Sequence, residues 1–329
     1  MSLSQMQVFN KYFMPATIET LAQMVDKFNG ASGGAIRLTT EGFEGDFLQE
    51  SFYAAIHSAR RRVDRYASNA AASPTDLTQL KHSSVKVAGG FGPVRYEPSQ
   101  MSWLNKPTAE GVEVASRNFA EALLQDQLNT AIAALVAAIG NQGSATTVDV
   151  STGSGAKRVD YLAVNESHAK FGDHSSLIVA QVMDGVAYHN FIGQNLANSN
   201  TLFQAGNVRV VDILGRVSVV TDAPALYSAA TTSPVVAAKR RVLSLVAGAA
   251  TVTDSRDIIS NIETSNGKER IETTLQLDYS FGLGLKGFTW DEANGGKSPS
   301  DAELATGSNW DLVASSVKHT AGTLAVGLA

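Results

Sequence analysis

Gly282-Leu283-Gly284-Leu285-Lys286-Gly287 has the spacing with which dinucleotide-binding proteins cradle a pyrophosphate. That chemistry needs a helix to begin directly after the glycines, so that its free N–H groups and dipole meet the phosphates. Here the glycines alternate with leucines inside an extended pattern, and Phe288–Pro299 reads as turns. The match is therefore read as strand glycines over which another element packs closely. Gly153-Ser154-Gly155-Ala156-Lys157 has the texture of a phosphate loop, but Ala156 precedes the lysine and Arg158 follows it. The Gly-Lys-Ser/Thr ending is missing, and the segment reads as a flexible loop.

Of the six histidines, only His168 and His174, with Asp173 beside them, form a cluster worth testing as metal ligands. A spacing of six puts two helical side chains on different faces, unlike the i, i+4 pair of a zinc helix. No Gly-x-Ser-x-Gly elbow is present, and no carboxylate pair is nominated by spacing. The reading assigns no catalytic residue, no cofactor site and no metal site. Two basic runs stand out: Arg60, Arg61, Arg62 and Arg65, and Lys239-Arg240-Arg241. Each fits a polyanion such as packaged DNA, acids on a neighbouring molecule, or a solvated surface.

Three elements would carry these residues. The first is a long helix over 109–139, with Thr108 as N-cap and Gly140 as the stop. Phe119, Leu123, Leu128, Ile132, Leu135 and Ile139 recur at mostly three or four residues and line one face. The second is a long strand over 270–286. Ile271, Thr273, Leu275, Leu277, Tyr279, Phe281, Leu283 and Leu285 alternate with Glu272, Thr274, Gln276, Asp278, Ser280, Gly282 and Gly284. Strict period-two alternation marks a strand buried on one face. The third is a β-hairpin, with Val85-Lys86-Val87 and Val94-Arg95-Tyr96 flanking the glycine-rich tip Gly89-Gly90-Phe91-Gly92-Pro93. A lone hairpin is marginal in water, so this one is expected to lie on a neighbour.

Between the long helix and the long strand the pattern is mixed α/β. Leu177–Met183, Val208–Leu214 and Val217–Thr221 read as strands, and Val186–Leu196 as a helix. Val242–Val246 and Ala249–Thr253 read as a pair around Gly248. Gly140–Lys157 reads as a loop into this region, and Thr264–Lys268 as the way out. Upstream, Pro15–Phe28 reads as a short helix preceded by an arm, and Asp46–Tyr66 as a second helix.

Composition narrows the function classes. The chain has 329 residues, 44% hydrophobic, with a net charge of −5. That excludes a disordered tail and gives no general attraction to phosphate. With no cysteine there is no disulfide scaffold, thiolate metal site or cysteine nucleophile. No signal peptide is read at the N-terminus. No apolar run of membrane-spanning length is read either, the nearest being Ala131–Gly140. Charged residues make up only 17% of the chain, against a usual value of about 25%. So sparse a surface charge suggests that other copies cover much of the surface.

The order of these features resembles a known family. The phrases that carry the resemblance are Ser116-Arg117-Asn118-Phe119-Ala120-Glu121-Ala122-Leu123 and Asp126-Gln127-Leu128-Asn129-Thr130-Ala131 in the helix. They continue with Asn207–Asp222, Asn309-Trp310-Asp311-Leu312-Val313-Ala314 and His319-Thr320-Ala321-Gly322. Over roughly Phe43 to Val326 the chain resembles the major capsid proteins of tailed bacteriophages, with the Hong Kong 97-type shell fold. The resemblance implies an α+β fold with an N-terminal arm (1–35) and an extended-loop region (36–107). It implies a peripheral domain (108–160 and 265–329) built on a spine helix and a long strand, and an inserted α/β axial domain (161–264). It implies a non-enzymatic protein that forms hexamers and pentamers and closes an icosahedral shell around double-stranded DNA. Scaffolding, portal and decoration proteins are the implied partners, with no membrane, and the virion the location after assembly in the host cytoplasm. Val85, Val87, Phe91, Val94, Tyr96, Arg60, Arg61, Arg62 and Arg65 are the expected intersubunit contacts. An encapsulin-type compartment of the same fold is the alternative, and an α/β enzyme a more distant one.

Overall fold

A computed structural model describes residues 3–39, 46–53, 60–68, 71, 74, 76, 79–96, 108–197, 212–213, 216–233, 235–254, 257–267 and 269–329. Two long helices lie together. Helix α1 spans Leu3–Ala31 and α2 spans Thr108–Asn141. On α2, Ser116, Ala120, Leu123, Gln127, Ala131, Ala134 and Ala138 are buried at spacings of three and four, which makes one continuous stripe. Thr17, Leu21 and Val25 of α1, four apart, are buried as well. At about 1.5 Å per residue, α2 is about 50 Å long. It runs through Gly140. The left-handed residue beyond its end is Gly143, with φ of 57°. The Ile139 carbonyl, which accepts from the Gln142 N–H at 3.2 Å, also accepts from the Thr146 hydroxyl at 2.7 Å.

Helix α1 begins well before the expected Pro15. A proline fits a helix's first turn, which placed the start there, but the helix continues through it. Within α2, Ser116–Asn141 is long and apolar enough to cross a membrane by length and composition, contrary to the sequence reading. Half of that window is buried inside the protein, as in the core helix of a globular fold.

Six strands form the first sheet. They are β1 (Ile36–Thr39), β2 (Phe47–Tyr53), β3 (Gln79–Tyr96), β12 (Ala250–Asp254), β13 (Ile259–Ser265) and β14 (Glu272–Leu285). The order is β1-β12-β14-β3-β2, and β13 continues the β12 side along the other half of β14. Only β1 and β12 run parallel. The alternation read for β14 holds only over its first half, where Thr273, Leu275, Leu277 and Tyr279 are buried between less buried neighbours; from Tyr279 to Leu285 both faces are buried, and Ile271 is exposed.

Seven strands form the second sheet: β4 (Thr147–Asp149), β5 (Ile178–Met183), β6 (Asp212–Ile213), β7 (Arg216–Val220), β8 (Tyr227–Ser228), β11 (Lys239–Val246) and β17 (Gly322–Leu328). The order is β4-β17-β11-β5-β7-β6, with β8 on β11. Helices α3 (Tyr161–Ala169) and α4 (Gly185–Ala197) cover one face, where Ala163, Val164, Tyr188 and Phe191 pack with Met183, Val242 and Ala325. Strands β9 (Thr231–Thr232) and β10 (Val235–Val236) form a small hairpin, and β15 (Phe288–Trp290) pairs with β16 (Trp310–Leu312). Two one-turn helices, α5 (Glu292–Gly295) and α6 (Asp301–Leu304), follow β15.

Four expectations are corrected. The β-hairpin read over residues 85–96 is one strand, β3, paired with β14. Its glycines serve close packing rather than a turn. A Cβ on Gly89 would sit 2.8 Å from the Tyr279 ring, and one on Gly90 2.8 Å from Asp278 Oδ1. Gly92 has φ of 105°, and with Pro93 it faces the single residue Gln276, a β-bulge that needs no N–H from the proline. The helix read over Asp46–Tyr66 is β2 followed, at residues 60–68, by exposed irregular chain. The strands either side of Gly248 do not pair. Gly248, with φ of 67°, turns the chain from β11 in one sheet to β12 in the other. Finally, β12 and β13 join the sheet of β14, while β17 enters the sheet of β5 and β11. The sheets therefore exchange strands across the 264/265 boundary.

Candidate assembly surface

None of the motifs tested for chemistry gathers into a catalytic arrangement. Gly282 and Gly284 lie within β14, and Gly287 makes the turn into β15. Lys157 bonds Asp160 at 2.6 Å, and Asp160 caps α3 by accepting from Ala163 N–H at 2.8 Å. His168 is buried with Nε2 2.9 Å from Ser244 Oγ, while His174 packs edge-on to His319. Among the described residues no cluster could hold a metal ion.

The expected contact residues divide sharply. Val85 and Val87 are buried in the chain's own core. Phe91 stacks on Tyr279 with ring centroids 5.5 Å apart and meets Phe119 edge-on at 6.2 Å. Val94 is 51% exposed. Tyr96 pairs with Thr273 at the end of β3. Arg60, Arg61, Arg62 and Arg65 are all exposed. The other basic run is consumed internally. Lys239 pairs with Asp149, Arg240 with Asp184, and Arg241 donates to the Ala225 carbonyl. Burial pulls the Arg241 pKa down, opposed by the charge of Asp149. Lys81, Lys86 and Arg95 along β3 are also paired, with Glu292, Asp257 and Glu272. Among the described residues, the arginines at 60–65 are thus a basic cluster exposed to solvent.

Exposed apolar side chains include Val94, Ile259 and Ile271, at separate points of the six-stranded sheet. Val235 and Val236 are exposed next to each other on the β9–β10 hairpin. Sequence reasoning missed this hairpin. The signal for it was an uncharged run from Ala223 to Ala238. An exposed apolar hairpin and a charge content of 17% suit a protein that works by contact.

The comparisons agree. Residues 5–324 match the Gp13-like family model, described as major capsid protein 13-like. The chain belongs to this family of major capsid proteins. No curated protein matches the capsid protein. A chain of the cyanophage Pam1 capsid asymmetric unit is similar in fold, with 11% identity and a TM-score of 0.53, covering 89% of this chain and 88% of that one. A Microbacterium phage Oxtober96 chain has 15% identity and a TM-score of 0.49, covering 90% of each. One from the acid-stable capsid of Helicobacter pylori bacteriophage KHP30 has 10% identity and a TM-score of 0.49, covering 91% of this chain and 88% of that one. Open sheets beside one long apolar helix fit the Hong Kong 97-type shell fold. The capsid protein is a structural, self-assembling component of a phage virion, not an enzyme.

Proposed function

We propose that the capsid protein forms hexamers and pentamers that close into an icosahedral shell around double-stranded DNA. The family match over residues 5–324 carries this reading. In this scheme α2 is the spine helix and β14 the long strand of a peripheral domain. The seven-stranded sheet with α3 and α4 is the core of the axial domain. Strands β2 and β3 belong to the extended loop, and α1 to the N-terminal region. Arg60, Arg61, Arg62 and Arg65, with Phe91, Val94 and Tyr96, are assigned to contacts between subunits. Val85 and Val87 support those contacts only from the core, since both are buried. Scaffolding and portal proteins, decoration proteins and non-specifically held DNA are the proposed partners, with assembly in the host cytoplasm. Expression with and without the scaffold, followed by negative-stain imaging, tests the reading. Closed particles with scaffold and capsomer-sized oligomers without it are expected. A monodisperse monomer at high concentration overturns it.

A further inference from the structure

The edges of the six-stranded sheet are treated differently. At β1 the side-chain amide of Asn29 occupies the outward groups of Leu38. Nδ2 donates to the carbonyl at 2.7 Å, and Oδ1 accepts from the N–H at 3.0 Å. Beyond the stretch that β2 covers, at Gln79–Val85, the outer side of β3 carries the bulged Gly92-Pro93, and the proline has no N–H to offer. Both features keep an edge from pairing with another chain.

Strand β13 carries neither. Ile259-Ser260-Asn261-Ile262-Glu263-Thr264-Ser265 holds no proline, lysine or glycine. It pairs with β14 in unbroken register, from Ile259 opposite Asp278 to Ser265 opposite Glu272. Among the described residues no strand pairs with its other edge. Ile259, at the start of that edge, is 68% exposed.

We propose that β13 pairs antiparallel with β13 of a second copy, across a two-fold axis centred on Ile262. This rests on the self-assembly of the family. The strand is complementary to itself about that point. Ile262 meets Ile262 of the partner subunit, Asn261 meets the partner's Glu263, and Ser260 meets the partner's Thr264. The strand's one charge, Glu263, then faces a neutral amide that can donate to it. Centring the pair on Glu263 would set two carboxylates face to face, which is destabilising. Ser260, Ile262 and Thr264 lie opposite Leu277, Leu275 and Thr273 on the buried side of β14. The pairing therefore carries the sheet's inner face across the junction.

The chain has no cysteine, so a single introduced thiol reports this geometry cleanly. Directly opposed residues in antiparallel strands have Cα atoms about 4.5–5.5 Å apart, within the disulfide range of about 4.4–6.8 Å. Full-length Ile262→Cys protein, assembled and mildly oxidised, should run as a dimer on a non-reducing gel. Asn261→Cys and Glu263→Cys should each stay monomeric, while the double variant should crosslink. The Ser260→Cys, Thr264→Cys double variant gives a second reading of the same register if position 262 does not tolerate cysteine. Particles that form normally but give no dimer with either design overturn the pairing and leave assembly standing. Equal crosslinking of the single variants at 261 and 263 also overturns it. A wild-type chain that forms no assemblies removes the self-assembly on which the inference rests.

Discussion

The Tyr279 hydroxyl donates to Asp126 Oδ2 across 2.5 Å, tying the long strand to the long helix. The same ring stacks on Phe91 of β3 and lies near Phe281 on its own strand. One residue thus links α2, β14 and β3 where the sheet meets the helix.

Tyr279→Phe removes only the hydroxyl and leaves Asp126 without this donor. A loss of about 1–3 kcal/mol is expected, typical of a half-buried polar group losing its partner. Tyr279→Ala also removes the ring and should cost about 3–5 kcal/mol. Urea midpoints at pH 7 compare the two. Equal effects would show that the hydrogen bond carries the whole contribution.

Alkaline pH should weaken the fold through the same residue. Burial, then the bond to Asp126 and its charge, raise the Tyr279 pKa far above its usual value. An acid whose folded pKa is raised stabilises the fold below its unfolded pKa, and that contribution falls as pH rises past about 10. Stability should drop by up to about 1.4 kcal/mol per pH unit there. Denaturant midpoints between pH 9 and 11 should fall more steeply for wild type than for Tyr279→Phe, and parallel curves would contradict this.

Asp160 offers an acid counterpart. Burial raises its pKa, but the bonds from Lys157 and the Ala163 N–H outweigh that, and the net shift is downward. A depressed folded pKa stabilises above the unfolded value, and that contribution is lost as pH falls through the carboxylate range. Asp160→Ala should cost about 0.5–2 kcal/mol at neutral pH, as for other helix caps. Asp160→Asn should keep much of the cap while losing the acid dependence. Thermal melts between pH 3 and 7 read both effects.

Gln181 is fully buried, and among the described residues neither its Nε2 nor its Oε1 has a hydrogen-bond partner; nor does the hydroxyl of Ser218, directly opposite on β7. Replacing such a group with an apolar one of similar size should be neutral or stabilising. Gln181→Leu should therefore raise the melting temperature or leave it unchanged, whereas Gln181→Glu should lower it. A sharp loss with leucine would mean that the amide does have partners.

Gly322 and Gly327 should resist substitution for a different reason. A Cβ at Gly322 would collide with the Ser244 carbonyl, and one at Gly327 with the Val159 backbone. Neither obstacle is a flexible side chain, so alanine at either site should cost at least about 1–3 kcal/mol. Soluble yield and melting temperature check this, and wild-type values for both variants would refute it.

The sequence made some elements plain and hid others for physical reasons. Helix α2 and strand β14 were legible because the first has a long run without helix breakers and the second a clear alternation over its first half. Strand β3 was misread because glycines needed beneath Tyr279 and Asp278 look like those of a turn. Strand β2 was missed because Phe47–Tyr53 has no strict alternation, and its identity depends on pairing with β3. Of the contact residues, the exposed arginines at 60–65 were visible as a charge run. Val85 and Val87 were chosen for being apolar in a supposed excursion, and the same property buries them once that excursion is a strand paired with β14 over the core. The bare edge of β13 had no sequence signal, since an edge exists only after its neighbours are placed.

Both sheets are stitched by partners far apart along the chain. Ile36 pairs with Ala250, Val85 with Leu283, and Thr147 with Leu324. Such pairings must close long loops before any contact rewards them, which makes folding slow. Until residues near 250 arrive, β1 has no strand beside it, and early chains display unpaired edges to one another. The yield of particles is then set by a race between folding and premature association. Lower temperature, slower synthesis or a chaperone should tilt that race toward the shell.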